Sequence, residues 1–207
     1  MSEPAKRTGA GEAGLGGVRD VYFSVDVETD GPIPGVYSLL SFAIVEAGTM
    51  AAGRFARPAA TPASFYRELR PIAEDFDPEA LAVSGLDRGR LAREGAEPAA
   101  AMREASAWIA AHAPEGEPVL VAYPLGFDWS WLHWYFVRFT GASPFRHSRA
   151  FDVKTAVAVK ARRSIADAGQ RRLPAELRSA RPHTHHALDD ARAQGEVFAN
   201  LMEWEAP

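Results

Sequence analysis

Two acidic side chains, Asp26 and Glu28, stand two residues apart in Val25-Asp26-Val27-Glu28-Thr29-Asp30-Gly31-Pro32. The run before them, Asp20-Val21-Tyr22-Phe23-Ser24-Val25, is rich in β-branched and aromatic residues and reads as a strand. Side chains two apart on a strand point to the same face, so the two carboxylates lie side by side. If buried there, they repel each other and hold their protons unless a cation comes between them. A divalent metal with oxygen ligands resolves that conflict. Two solvated acids at a strand end are the plainer reading. A third acid, Asp128, follows Gly126-Phe127 where a strand is expected to give way to a helix. Capping that helix is one role for it, and ligating a metal is the other. Three histidines, His183, His185 and His186, precede Asp189 and Asp190. Neighbouring residues rarely all point at one ion, so a zinc site of histidines alone is disfavoured, and one histidine facing the acidic pocket is expected. The chain has no cysteine, which excludes disulfides and thiolate sites and leaves carboxylate or histidine ligands.

These residues need a scaffold that brings distant segments together. Val36 to Glu46 reads as a second, largely buried strand, with turns near Gly48 and Ala52-Gly53. Ser64 to Arg70 alternates as a third strand, which completes an antiparallel meander. Asp77-Pro78 opens a short helix through Val83, with a cap residue and a proline in first place. Pro98 to His112 is Ala-rich with apolar residues at helical spacing. Val119-Leu120-Val121-Ala122 is a continuous apolar run, as in a central strand covered on both faces. Trp129 to Phe139 is an aromatic helix whose side chains suit a core better than a base-stacking platform. Phe151 to Ala156 passes from strand to helix, which runs on to about Arg163. The stretch from Arg162 to Pro182 is the most basic in the chain: a solvated loop, or a rim that attracts phosphates. Leu188 to Met202 is a final helix that packs on the sheet.

The 207 residues suffice for one domain, read as residues 20–203 after a disordered N-terminal leader at 1–19. No apolar run reaches the ~20 residues of a membrane span. A net charge of −4 gives no global basic signature of nucleic-acid binding. The lack of cysteine fits a reducing, cytoplasmic setting.

The order Asp26-x-Glu28, then Asp128, then His185-x-x-x-x-Asp190 resembles the DEDDh group of 3′–5′ exonucleases. These belong to the ribonuclease-H-like superfamily, with proofreading subunits, ribonuclease T and oligoribonuclease. Leu81 to Leu86 and Phe151 to Thr155 also look like segments of that group, and the likeness covers roughly residues 20–203. The resemblance implies an α/β fold: a mixed five-stranded sheet, its first three strands antiparallel, flanked by helices. It assigns Asp26, Glu28, Asp128 and Asp190 to metal binding and His185 to the general base. The interval to Asp190 selects His185 over His183 and His186, and Ala187-Leu188 favours Asp190 over Asp189. Tyr123-Pro124 departs from the group, many of whose members carry His-Asn there.

Phosphodiester hydrolysis needs an activated water, a neutralised phosphoryl group and a stabilised leaving oxygen, and two divalent ions supply all three. Four carboxylates suit two Mg²⁺ ions, with Mn²⁺ as substitute, and a histidine beside them can take a proton near neutral pH. The expected reaction is hydrolysis from the 3′ end of single-stranded DNA or short RNA, releasing nucleoside 5′-monophosphates, with Thr29 and Gly31 touching the terminal nucleotide. The alternatives are a silent nucleic-acid-binding or interaction module and a proofreading partner of a polymerase. Homodimerisation is consistent with the resemblance, and no membrane partner is expected.

Overall fold

A computed structural model describes residues 19–205. The leader expected at 1–19 therefore lies outside the described residues except for Arg19, which opens the first strand. That strand, β1 (Arg19–Thr29), is buried along almost its whole length, because the sheet is covered on both faces. β2 (Leu39–Ala51) runs antiparallel beside it. β3 (Arg54–Ala56) and β4 (Ser64–Glu68) share the other edge of β2, pairing with Thr49–Ala51 and with Ser41–Val45. On the far side, β5 (Gly116–Ala122) is parallel to β1, and β6 (Ala150–Asp152) is parallel to β5. Among the described residues the sheet thus has six strands rather than the expected five.

The extra strand is β3, and its origin is local. Gly48 is not a turn but a bulge position within β2, where the register slips between Tyr22↔Gly48 and Phe23↔Glu46. Its φ is +131°, and a Cβ there would meet the Phe55 ring at 2.6 Å and the Ala56 carbonyl oxygen at 2.7 Å. The chain turns only at Ala52-Gly53, and three residues then pair back. Val36 falls outside β2 and is exposed, in the loop that joins β1 to β2.

Among the described residues, six α-helices surround the sheet: α1 (Pro78–Ser84), α2 (Arg88–Glu94), α3 (Pro98–His112), α4 (Leu125–Thr140), α5 (Val153–Lys160) and α6 (Ala187–Glu203). α1 has the expected cap, with Asp77 Oδ1 accepting from the Glu79 and Ala80 amides and Gly85 closing the helix in the left-handed region. α2 was not expected; only Leu91 of its residues is buried, so it carries no apolar stripe. α4 begins three residues before Asp128. The capping role for Asp128 is therefore overturned: the cap position belongs to Pro124, and Asp128 lies within the first turn. Between α5 and α6 the basic stretch forms three short 3-10 turns, Ala166–Ala168, Gln170–Arg172 and Ala175–Leu177. No helix among the described residues is long and apolar enough to cross a membrane.

β1 divides the interior by the parity of its side chains. Val21, Phe23, Val25 and Val27 enter a core with α3 and α4, including Met102, Ile109, Trp131 and Phe136. Tyr22 points the other way, into a core with α5 and α6 built on Val157, Val197 and Phe198. Ser24, Asp26 and Glu28 share the parity of Tyr22 and so lie on the side covered by α6.

One buried ion pair ties the segments at the end of β1. Asp30 is fully buried, and its carboxylate accepts from the Ser38 amide and, at 2.9 Å, from Arg88 Nε at the start of α2. Its backbone carbonyl accepts from the Asp77 amide at 2.7 Å. Ser38 Oγ accepts from the Ile72 and Ala73 amides, and Arg88 also donates to the Ala73 carbonyl. Removing one partner of a buried pair costs about 3–5 kcal/mol. An Asp30→Ala substitution is accordingly expected to lower unfolding free energy by about 3 kcal/mol, read as a fall in the urea midpoint.

Candidate active site

The parity of β1 and the seating of α6 bring the acids together. Asp26, Glu28 and Asp190 each offer a carboxylate oxygen within 4.8 Å of the others'. Asp26 is half-buried, whereas Glu28 and Asp190 are 8% and 2% exposed. Asp128 arrives from the opposite layer, on the first turn of α4, and is 6% exposed. It lies outside the group of three but close enough for its charge to act on both Asp26 and Glu28. Asp189 turns outward to His186 and Arg192, so Asp190 is the member of the pair that enters the cluster.

Burial and mutual repulsion make these acids reluctant to ionise. Burial, reinforced by the charges of Asp190 and Asp128, raises the Glu28 pKa from 4.5 to about 8. Burial raises Asp128 from 3.8 to about 7, against hydrogen bonds from its own amide and that of Val27. Asp26 is also pushed well upward by burial and then by Asp128, Glu28 and Asp190, opposed by a hydrogen bond from Gln194. Among the described residues no lysine or arginine contributes to these shifts. The donor set is oxygen-rich, close-set and short of positive charge, which fits a hard divalent cation.

The three histidines have separate places. His183 Nδ1 lies 3.0 Å from Asp190 Oδ2. The amides of Thr184 and His185 donate to the two oxygens of Asp190 at 2.9 and 2.8 Å. His185 takes a φ of +56° to make this wrap, and its ring meets that of His183 edge-on at 4.3 Å. His186 stacks instead on Tyr66. Two histidines, not the single one expected, thus stand near Asp190. The second, His183, has no fixed spacing that would have singled it out.

Beside Glu28 an open groove of about 310 Å³ is lined by Thr29, Gly31, Pro32, Ala80, Val83 and Phe127, among others. Thr29 is buried, and its hydroxyl donates to the Gly31 carbonyl at 2.9 Å, so it braces the wall. A Cβ at Gly31 would strike the Tyr37 ring at 2.2 Å, so only glycine lets the loop lie so close. Val83 and Phe127 present exposed apolar surface to the groove. At the departure from the family pattern, Tyr123 donates its hydroxyl to the Ala168 carbonyl at 2.6 Å, bracing the first 3-10 turn.

A family model described as the 3′-5′ exoribonuclease Rv2179c-like domain matches residues 87–202. An Escherichia coli protein described as 3′-5′ DNA exonuclease Cap18 is 36% identical over 186 residues, 87% of this chain and 90% of that protein. Among solved structures, the nuclease domain of 3′hExo, a DEDDh family member bound to rAMP, aligns with a TM-score of 0.63 at 10% identity, over 89% of this chain and 92% of that one. The zinc-bound E. coli ExoI–ssDNA complex aligns with a TM-score of 0.58 at 16% identity, over 89% of this chain and 40% of that one. The structural likenesses show a shared ribonuclease-H-like fold.

The raised pKa values have a consequence in metal-free buffer. Between the ordinary carboxyl range and about pH 8, the folded state keeps protons on Glu28 and Asp128 that the unfolded chain has released. Their stabilising contribution is full below pH 4 and is lost as pH rises through 7 and 8. Thermal melts in EDTA are expected to show the midpoint falling from pH 5 to pH 8.5, with a shallower fall in Glu28→Gln.

Proposed function

The chain belongs to the Rv2179c-like 3′–5′ exoribonuclease domain family and is a 3′–5′ exonuclease, and from that premise we propose how it cuts and what it cuts. The substrate is the 3′ end of single-stranded DNA or short RNA, and the products are nucleoside 5′-monophosphates. The observation that carries this reading is the convergence of Asp26, Glu28 and Asp190 within 4.8 Å, with Asp128 adding its charge. Such a cluster is unfavourable by itself and favourable around cations. The four acids would hold two Mg²⁺ ions, with Mn²⁺ as substitute, and these when bound would supply water activation, neutralisation of the phosphoryl oxygens and stabilisation of the leaving oxygen. His185 takes the proton of the attacking water, whose oxygen bonds to the phosphorus of the terminal nucleotide. The bond from that phosphorus to the O3′ of the preceding nucleotide breaks, and O3′ takes up a proton.

The groove at Thr29 and Gly31 receives the terminal nucleotide, with its base against Val83 and Phe127. Base stacking on an aromatic ring such as Phe127 contributes about 1–3 kcal/mol per base and tolerates any sequence. The relative at 36% identity is a DNA exonuclease and the family description names an exoribonuclease, which supports a site that admits either sugar. We place the activity in the cytoplasm, and homodimerisation is consistent with the family resemblance.

Degradation of 5′-labelled single-stranded DNA and RNA with Mg²⁺, Mn²⁺ or EDTA tests the reading. A metal-dependent ladder shrinking from the 3′ end is expected, and the faster substrate names the preferred class. Intact substrates under every condition would turn the reading to a silent binding module or an absent polymerase partner. Asp26→Asn and Asp190→Asn are expected to abolish the ladder while circular dichroism stays at wild type. Turnover in either variant would remove that acid from the site.

His185→Ala is expected to lower kcat by roughly 10²–10⁴-fold, the usual contribution of a general base, with a smaller effect on Mn²⁺ binding. A larger loss in His183→Ala than in His185→Ala would transfer the role to His183.

A further inference from the structure

Gln194 stands one turn beyond Asp190 on α6, so both side chains leave the helix on one face. That face lies against β1, where a Cβ at Gly195 would come 3.4 Å from the Cβ of Ser24. The close approach carries Gln194 onto Asp26: its Nε2 donates to Asp26 Oδ1 at 2.6 Å. Gln194 is 4% exposed. Its Oε1 is buried as well, and has no hydrogen-bond partner among the described residues. An unmet buried acceptor costs about 1–3 kcal/mol. Methionine would fill the same volume without that cost. Packing therefore explains this side chain poorly, and its contact with Asp26 explains it well.

We infer that Gln194 is a positioning residue for cation binding, anchoring Oδ1 of Asp26 so that Oδ2 is left to face the cations shared with Glu28 and Asp190. The inference rests on the reading of the acid cluster as a divalent-cation site. The choice of a neutral amide follows from the charge of that cluster. A lysine or arginine at 194 would supply a donor but also a positive charge, competing with the cations for the same carboxylates. A glutamate would present a further acceptor to Asp26 and repel it. An amide fixes the carboxylate's orientation and adds no charge. Partners of this kind, one bond removed from a metal, typically affect metal affinity or activity by about 10–100-fold.

The test compares wild type with Gln194→Met and Gln194→Asn. Mn²⁺ binding is measured by calorimetry, stability by melting in EDTA, and turnover of a 5′-labelled oligonucleotide across a Mn²⁺ series. Gln194→Met is expected to melt close to wild type, and both variants to bind Mn²⁺ about 10–100-fold more weakly. Raising Mn²⁺ should restore part of kcat, with KM for the oligonucleotide unchanged at saturating metal. A merely structural role would instead lower the melting temperature and leave Mn²⁺ affinity in place. Wild-type Mn²⁺ affinity in folded Gln194→Met overturns the inference while leaving the exonuclease reading intact. Should Gln194→Met fail to fold, Gln194→Asn, whose amide falls one methylene short of Asp26, decides by the same titration. Wild-type protein that binds no Mn²⁺ overturns the cation reading, and this inference with it.

Discussion

Like-charge repulsion in a buried crevice is the constraint on which this architecture turns. Asp26, Glu28, Asp128 and Asp190 come from β1, α4 and α6, and they meet where water is largely excluded. Nothing in their own chemistry favours that meeting. It is enforced by packing elsewhere, through apolar contacts on both faces of β1 that contribute roughly 25 cal/mol per Å² of area removed from water. The folded chain thus holds an electrostatic deficit that a divalent cation would relieve. Such an arrangement couples folding to cation uptake, because what binds the folded state alone stabilises it.

The two-sided burial of β1 explains how one strand serves both framework and site. Its odd-numbered residues from Val21 to Val27 enter the core beneath α3 and α4, while Ser24, Asp26 and Glu28 face α6. A one-residue slip of register would exchange the two sets, putting carboxylates into an apolar core. The bulge at Gly48 sits well away from the acids, so the pairing from Phe23 to Glu28 runs without interruption. α6 then supplies Asp190 from a helix whose apolar side is locked against Tyr22 and Val121 by Val197, Phe198 and Leu201.

Much of this was legible in the sequence, for reasons that differ by element. Alternation on β1 is a short-range pattern that the structure keeps; the i, i+5 interval from His185 to Asp190 is another, and there the His185 amide donates to the Asp190 carboxylate. α3 runs from Pro98 to His112, the span that its composition indicates, because periodicity and proline at the first position agree. β3 was missed because three residues carry no periodic signal, and its partner strand passes through a glycine that resembles a turn. α2 was missed because a helix with one buried residue has no stripe to read. The start of α4 was placed after Asp128, which left a cap open as one of its two roles, because Leu125-Gly126-Phe127 does not announce a helix, although Pro124 before it does. Gln194 could have been found from its place four residues after Asp190. His183 could not, since only the folded loop sets its ring on that carboxylate.

The Asp30–Arg88 pair bears on motion as well as on architecture. It joins the loop that carries Gly31, the segment at Ile72-Ala73, the start of α1 and the start of α2 through shared hydrogen bonds. Elements linked in this way open together or not at all, as one cooperative unit with its own opening free energy. One wall of the groove is therefore no independent flap. Amide protons at Ser38, Ala73 and Asp77 should exchange with solvent in concert, and the nucleotide wall should loosen only when α2 detaches as well.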